Sequence, residues 1–152
     1  MKKYLLTFVV ALIIGFFLSN FFLKQYDDFE GIKVANKGET LYFIQYGVFS
    51  TLESLEENTI ALQNYVYNKQ DDLYYVYVGI TKLEDNAKKI VEYYKKLGYE
   101  TIIKEFGISN KNFLELLVNY DEVLKNTNDE TAISSIINQV LVKYEEVVIS
   151  GS

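Results

Sequence analysis

Apolar residues follow three different rhythms along this chain, and each predicts a different kind of structure. Tyr4 to Leu23 is an apolar run without a charge, opened by Lys2 and Lys3 and closed by Lys24. At a rise of ~1.5 Å per residue, such a run spans about 30 Å, the thickness of a bilayer's hydrocarbon core. It reads as one membrane-spanning helix. Gln25 to Thr40 carries glycine and charge with no sustained period, and reads as a tether.

The second rhythm alternates short strands with helical stripes. Leu41 to Tyr46 is rich in aromatic and β-branched residues and ends at Gly47, a strand. Ser50 with Glu53 has capping-box spacing, so a helix begins there and runs to about Asn64, with Leu52, Leu55, Thr59 and Leu62 on one stripe. Tyr65 to Asn68 is a short strand, and Lys69 to Asp72 supplies a turn. Leu73 to Val78 is the clearest strand and ends at Gly79. Thr81 with Glu84 repeats the capping spacing. Ala87, Ile90, Val91, Tyr94 and Leu97 then form a helical stripe, with Gly98 where a left-handed cap belongs. Tyr99 to Phe106 is the last strand.

The third rhythm is purely helical. Leu114, Leu117, Val118 and Leu124 share a stripe within Phe113 to Leu124. Thr127 with Glu130 marks another helix start, followed by Ile133, Ile136, Ile137, Val140, Leu141, Tyr144, Val147 and Val148 at helical intervals. The short connection predicts an antiparallel hairpin with an apolar face to bury.

The central order is strand, helix, strand, strand, helix, strand, and it is a repeat. Tyr42 to Gly47 aligns with Tyr74 to Gly79, each followed by a capped helix. Two such halves predict an α+β, ferredoxin-like βαββαβ fold: a four-stranded antiparallel sheet with two helices on one face. The layout is then a cytoplasmic tip and transmembrane anchor at 1–24, a linker at 25–40, the sheet domain at 41–107 and the helical hairpin at 108–152. If Ile44, Tyr46, Val76 and Val78 face the helices, then Phe43, Gln45, Tyr75 and Tyr77 face outward together, with Leu73 beside them.

Composition narrows the chemistry. Histidine and cysteine are both absent. That removes the usual zinc, copper and thiol sites and His-based proton transfer, so no metal or cofactor is expected. Two lysines precede the apolar run and one follows it. This places the N-terminus in the cytoplasm and the domain outside, at the cell membrane, as a single-pass protein. The bulky end of the run, Leu18 to Phe22, lacks the small residues of a signal-peptidase site, which favours an anchor over a cleaved leader. Beyond Lys24 there are twelve lysines against twenty-one acids, a net charge of −9. Such a domain is repelled by nucleic acid and by anionic lipid, and a neutral ligand suits it better.

Aromatic rings beside an amide suit a sugar: rings stack on its C–H faces, and the amide both donates and accepts hydrogen bonds. Phe43, Gln45, Leu73, Tyr75 and Tyr77 are therefore the candidate glycan-binding residues. The competing reading is that these rings fill a two-sided sheet packed against the hairpin. Glu56-Glu57, Asp71-Asp72 and Glu145-Glu146 are paired carboxylates. Neighbours in a helix point in different directions, so the pairs read as solvated surface and not as a glycosidase site.

Gln45-Tyr46-Gly47-Val48-Phe49-Ser50, followed by a helix, resembles the opening of a SPOR domain, the sporulation-related repeat. Tyr75-Val76-Tyr77-Val78-Gly79-Ile80 is similar to that family's second half. The resemblance covers about Leu41 to Phe106. It implies binding to peptidoglycan glycan strands stripped of stem peptides, through the exposed sheet face, in the envelope during division or sporulation. It places Gln45 at the family's ligand-contacting glutamine. Tyr75 stands where an arginine is often found, Leu73 where an aromatic is often found, and Val48 where a small or polar residue is frequent. The expectation is a non-catalytic, membrane-anchored peptidoglycan-binding protein. The alternative is an envelope scaffold whose hairpin recruits a protein partner or a second copy and which binds no glycan.

Overall fold

Two long strands, β1 (Glu39–Phe49) and β3 (Leu73–Thr81), pair antiparallel at the centre of the sheet. The computed structural model describes residues 38–151. The expected anchor and nearly all of the tether lie outside the described residues. Among those described, no helix is long and apolar enough to cross a membrane.

The element order is β1, α1 (Leu52–Thr59), β2 (Val66–Gln70), β3, α2 (Glu84–Lys96), β4 (Ile102–Ile108), α3 (Lys111–Asn126) and α4 (Glu130–Tyr144). A π-helical turn, Glu145–Ile149, ends the chain's last helix. The strands lie in the order β2-β3-β1-β4, each neighbouring pair antiparallel. This is the order that two interleaved strand–helix–strand halves produce. The architecture is α+β.

Local chemistry explains most boundaries. The β2–β3 turn contains only Asp71 and Asp72, at φ of 50° and 60°. A two-residue turn with both φ values positive matches the twist of its flanking strands, and aspartate is among the residues that tolerate it. It extends β2 to Gln70, past the expected end at Asn68. At the end of α2, Gly98 adopts φ +90°. Its N–H donates to the Lys95 carbonyl and the Tyr99 N–H to the Tyr94 carbonyl, both at 3.0 Å. That is the six-to-one and five-to-two pattern of a glycine C-cap, as the sequence predicts.

The helix starts fall within two residues of expectation, but the capping side chains differ. Thr51, not Ser50, accepts from the Ser54 N–H. Asp129, not Thr127, accepts from the Ala132 N–H. Thr81 does not cap α2 at all; its hydroxyl accepts from the Leu83 N–H and donates to Asp121. Several hydroxyl and carboxylate side chains near a helix start compete for the same orphan N–H groups, and spacing alone does not choose among them.

Helices α1 and α2 cover one face of the sheet. Leu55 of α1 and Ile90 of α2 are buried there. The approach of α2 needs Gly79: a Cβ at that position would lie 2.9 Å from Cγ2 of Ile90. The central pair is irregular at Val78 of β3 and Tyr46 of β1, where the register shifts twice between Ile44 and Gly47. These bulges keep Gln45 opposite Tyr77 while the Tyr46 hydroxyl donates to the Asn58 carbonyl on the helix side.

The hairpin of α3 and α4 belongs to the same core as the sheet. Leu117, Leu124, Ile133, Ile136, Ile137, Val140 and Leu141 are all buried within it. Val118, expected on this stripe, is instead exposed. β2 pairs with β3 only over Leu73 to Tyr77, which leaves the rest of that edge without a strand neighbour. Asp121 of the hairpin meets Thr81 of β3 there. It also reaches both layers. Lys89 and Lys96 of α2 bond to its connecting end, while at its other end Tyr144, packed on Phe113, lies against Phe43 on the opposite face of the sheet.

Candidate functional site

The expected outer face exists, and most of it is closed. Phe43 touches Tyr77 at 5.4 Å between ring centroids, Phe106 at 5.1 Å and Tyr144 at 5.5 Å. Tyr144 meets Phe113 at 5.3 Å. All four contacts are edge-on, the arrangement aromatic quadrupoles favour. Phe43 is 2% exposed, Tyr77 6% and Gln45 8%. Burial raises the Tyr77 phenol well above its usual value, with the Tyr144 and Tyr75 hydroxyls adding to the effect. The expectation that Phe43, Gln45 and Tyr77 form an open binding floor is therefore corrected. The hairpin closes that floor through Tyr144, which packs on Phe43 and carries Phe113 behind it.

Leu73 and Tyr75 fare differently: both are only half-buried. Register brings two further residues beside them. Asn68 pairs with Tyr75, and Gln70 pairs with Leu73. On the other flank, Val48 of β1 pairs with Tyr75 and is exposed. Paired residues share a face, so Asn68, Gln70, Leu73, Tyr75 and Val48 form one patch across three strands. It presents one phenol, two primary amides and two aliphatic side chains, with Asn68 and Gln70 exposed. The amides come from β2 and not from Gln45. The pair Asp71-Asp72 carried the signal: a two-residue turn there fixes which β2 residues stand opposite Leu73 and Tyr75.

A cluster of polar groups holds the hairpin in place. Asp121 of α3 is buried, accepting from the Thr81 hydroxyl, from the Lys82 N–H at 2.8 Å and from the Asn86 amide at 3.2 Å. Burial raises the Asp121 carboxyl above its usual value, and these hydrogen bonds work against that rise. The Lys89 ammonium donates to the carbonyls of Leu124 and Thr127, both at 2.8 Å, at the C-terminal end of α3. A cation there satisfies orphan carbonyls and favours the negative end of the helix dipole. The signal for Asp121 was a carboxylate on an apolar stripe, between Leu117 and Leu124.

The carboxylate pairs stand apart from one another in the fold, Glu56-Glu57 on α1, Asp71-Asp72 in the β2–β3 turn and Glu145-Glu146 in the π-helical turn, and all six residues are exposed. Among the described residues no group of three or more acidic side chains is placed to hold a metal ion.

No protein-family model matches the chain, and no curated protein matches it. Among solved structures, the chain is similar to the solution structure of the peptidoglycan binding domain of the B. subtilis cell wall lytic enzyme CwlC. The two are 26% identical, over 47% of this chain and 96% of that one, with a TM-score of 0.39.

Proposed function

We propose that this protein is a non-catalytic, membrane-anchored envelope protein with a SPOR-like, ferredoxin-like sheet, which binds peptidoglycan glycan strands at the end of the sheet the hairpin leaves uncovered. One observation carries the reading. Beyond the sealed aromatic cluster, the same face presents Tyr75 and Leu73 with Asn68 and Gln70 in register beside them. A ring flanked by amides can stack on a pyranose and bond its acetamido and hydroxyl groups. The apolar run near the N-terminus supports attachment to the cytoplasmic membrane with the domain outside, and the repeated strand–glycine–helix halves support the SPOR-like assignment.

Retention on purified sacculi, with and without amidase treatment, tests this. Amidase treatment should raise retention of the wild-type protein, and a Tyr75→Ala, Asn68→Ala double variant should lose it. Equal retention of the two proteins would remove the patch as the site.

The second reading is an envelope scaffold that binds no glycan. The sealing of Phe43, Gln45 and Tyr77 favours it, because the family's usual floor is filled by the protein's own side chains. Its homodimer form loses its motive, since the stripe from Ile133 to Leu141 is buried within the chain. Failure of both wild type and variant to bind sacculi would favour this reading.

A further inference from the structure

Where α4 passes the end of α2, the two helices and the segment before β2 line a shallow, open groove of about 520 Å³. Its walls are Tyr93 of α2 and Leu97 at that helix's C-cap, Gln63 from the connecting segment, and Ser134, Asn138 and Gln139 of α4. The groove lies away from the sheet patch and exists only because the hairpin docks beside α2.

Its chemistry is neutral and bifunctional. Glu130 is the charged residue in the wall, and the Lys96 ammonium holds its carboxylate at 3.2 Å. The remaining polar groups are primary amides and hydroxyls, which both donate and accept. The Ser134 hydroxyl donates to the side-chain amide oxygen of Gln63 at 3.1 Å, linking the two walls. The Gln139 amide donates to the Ser135 hydroxyl at 3.0 Å. Gln63 and Gln139 are both exposed, so their amides are open to a ligand from solvent. Tyr93 is half-buried, and its ring packs edge-on against Tyr94 at 5.2 Å. Tyr94 is itself held by a hydrogen bond from its hydroxyl to the Val78 carbonyl at 3.0 Å. An aromatic platform fixed in this way, beside several amides and hydroxyls and without free charge, recognises a flat, polyhydroxylated, uncharged molecule. The primary amides of Gln63, Asn138 and Gln139 add donors and acceptors that suit an acetamido group, which offers one N–H and one C=O.

We propose that this groove is a second saccharide site, for one or two residues of a neutral N-acetylated hexosamine. It does not depend on the sheet patch. Titration of the isotope-labelled full-length chain in micelles with N,N′-diacetylchitobiose, followed by amide NMR, tests it. Saturable shifts are expected along Thr131 to Gln139 and at Leu97 and Gly98, with maltose at least fivefold weaker. Gln139→Ala, at an exposed position, and Tyr93→Ala should each weaken the disaccharide at least fivefold, and Tyr93→Phe should retain it. Tyr75→Ala should leave these shifts unchanged, which separates this groove from the sheet. No saturable shift in α4, or binding that survives both Gln139→Ala and Tyr93→Ala, would overturn the proposal. Equal response to maltose would overturn the acetamido assignment.

Discussion

The two ends of one sheet face use the same residue types and meet opposite fates. At one end Phe43 and Tyr77 pack edge-on against each other and against Phe106, with Tyr144 on Phe43, and both are closed to solvent. At the other end Leu73 and Tyr75 stand half-exposed beside Asn68 and Gln70. Tyr75 and Tyr77 are two residues apart on the same strand and the same face. What separates them is the reach of the hairpin. A ring that a helix covers becomes core, and a ring just past the helix's end stays available to a ligand. Aromatic alternation thus identifies a face without saying what lies against it.

The largest effect that would break this comparison is on stability. Phe43→Ala should cost about 3–5 kcal/mol in urea unfolding, whereas Tyr75→Ala should cost about 1 kcal/mol or less. Equal costs would mean that the two ends are not differently covered.

Next is the polar cluster that holds the cover down. Asp121→Ala leaves the Lys82 N–H, the Asn86 amide and the Thr81 hydroxyl without their acceptor, and should cost about 2–3 kcal/mol. The same residue gives a pH dependence. Burial raises the Asp121 carboxyl above 3.8 in the folded protein, so the native state holds that proton more tightly than the unfolded chain does. The resulting stabilisation is complete below pH 3.8 and is lost as pH rises through the raised value. Asp121→Asn lacks this component. Its urea midpoint should therefore fall furthest below wild type at the acid end, and the gap should narrow towards neutral pH.

A smaller effect sharpens the uncovered end. Tyr75→Ala should weaken glycan retention about tenfold, ~1.4 kcal/mol, with little change in melting temperature. Paired melting and sacculus-binding curves would show whether the two properties separate there. The smallest effect is at the rim of the cover. Lys96→Ala removes an exposed ion pair between α2 and α4 and should cost less than ~1 kcal/mol, by the same urea assay.

Much of the fold was legible because it is written in local chemistry. The strand at Leu73, the stripe at Ala87, Ile90 and Tyr94, and the cap at Gly98 each follow from periodicity or from a backbone angle only certain residues accept. The antiparallel order followed from the repeat. The facing of Phe43 and Tyr77 was also legible, since side chains alternate along a strand. The capping residues were less so, because Ser50 and Thr51, or Thr127 and Asp129, compete at the same helix end. The candidate site was only partly readable. Tyr75 and Leu73 remain in it, while Asn68 and Gln70 enter through register and Gln45 leaves through burial.

By itself, then, the amino-acid order determined which segments become strands and helices, and which side chains share a side of the sheet. Those outcomes depend on neighbours within a few residues. Tertiary structure alone decided that α3 and α4 turn back onto Phe43, that Asp121 is sealed against Thr81 and Asn86, and that a polar groove opens beside Tyr93. The apolar stripe on the hairpin demanded burial but named no partner. The hydrophobic effect rewards any complementary surface, and only the packed chain shows that the nearest one was the protein's own sheet.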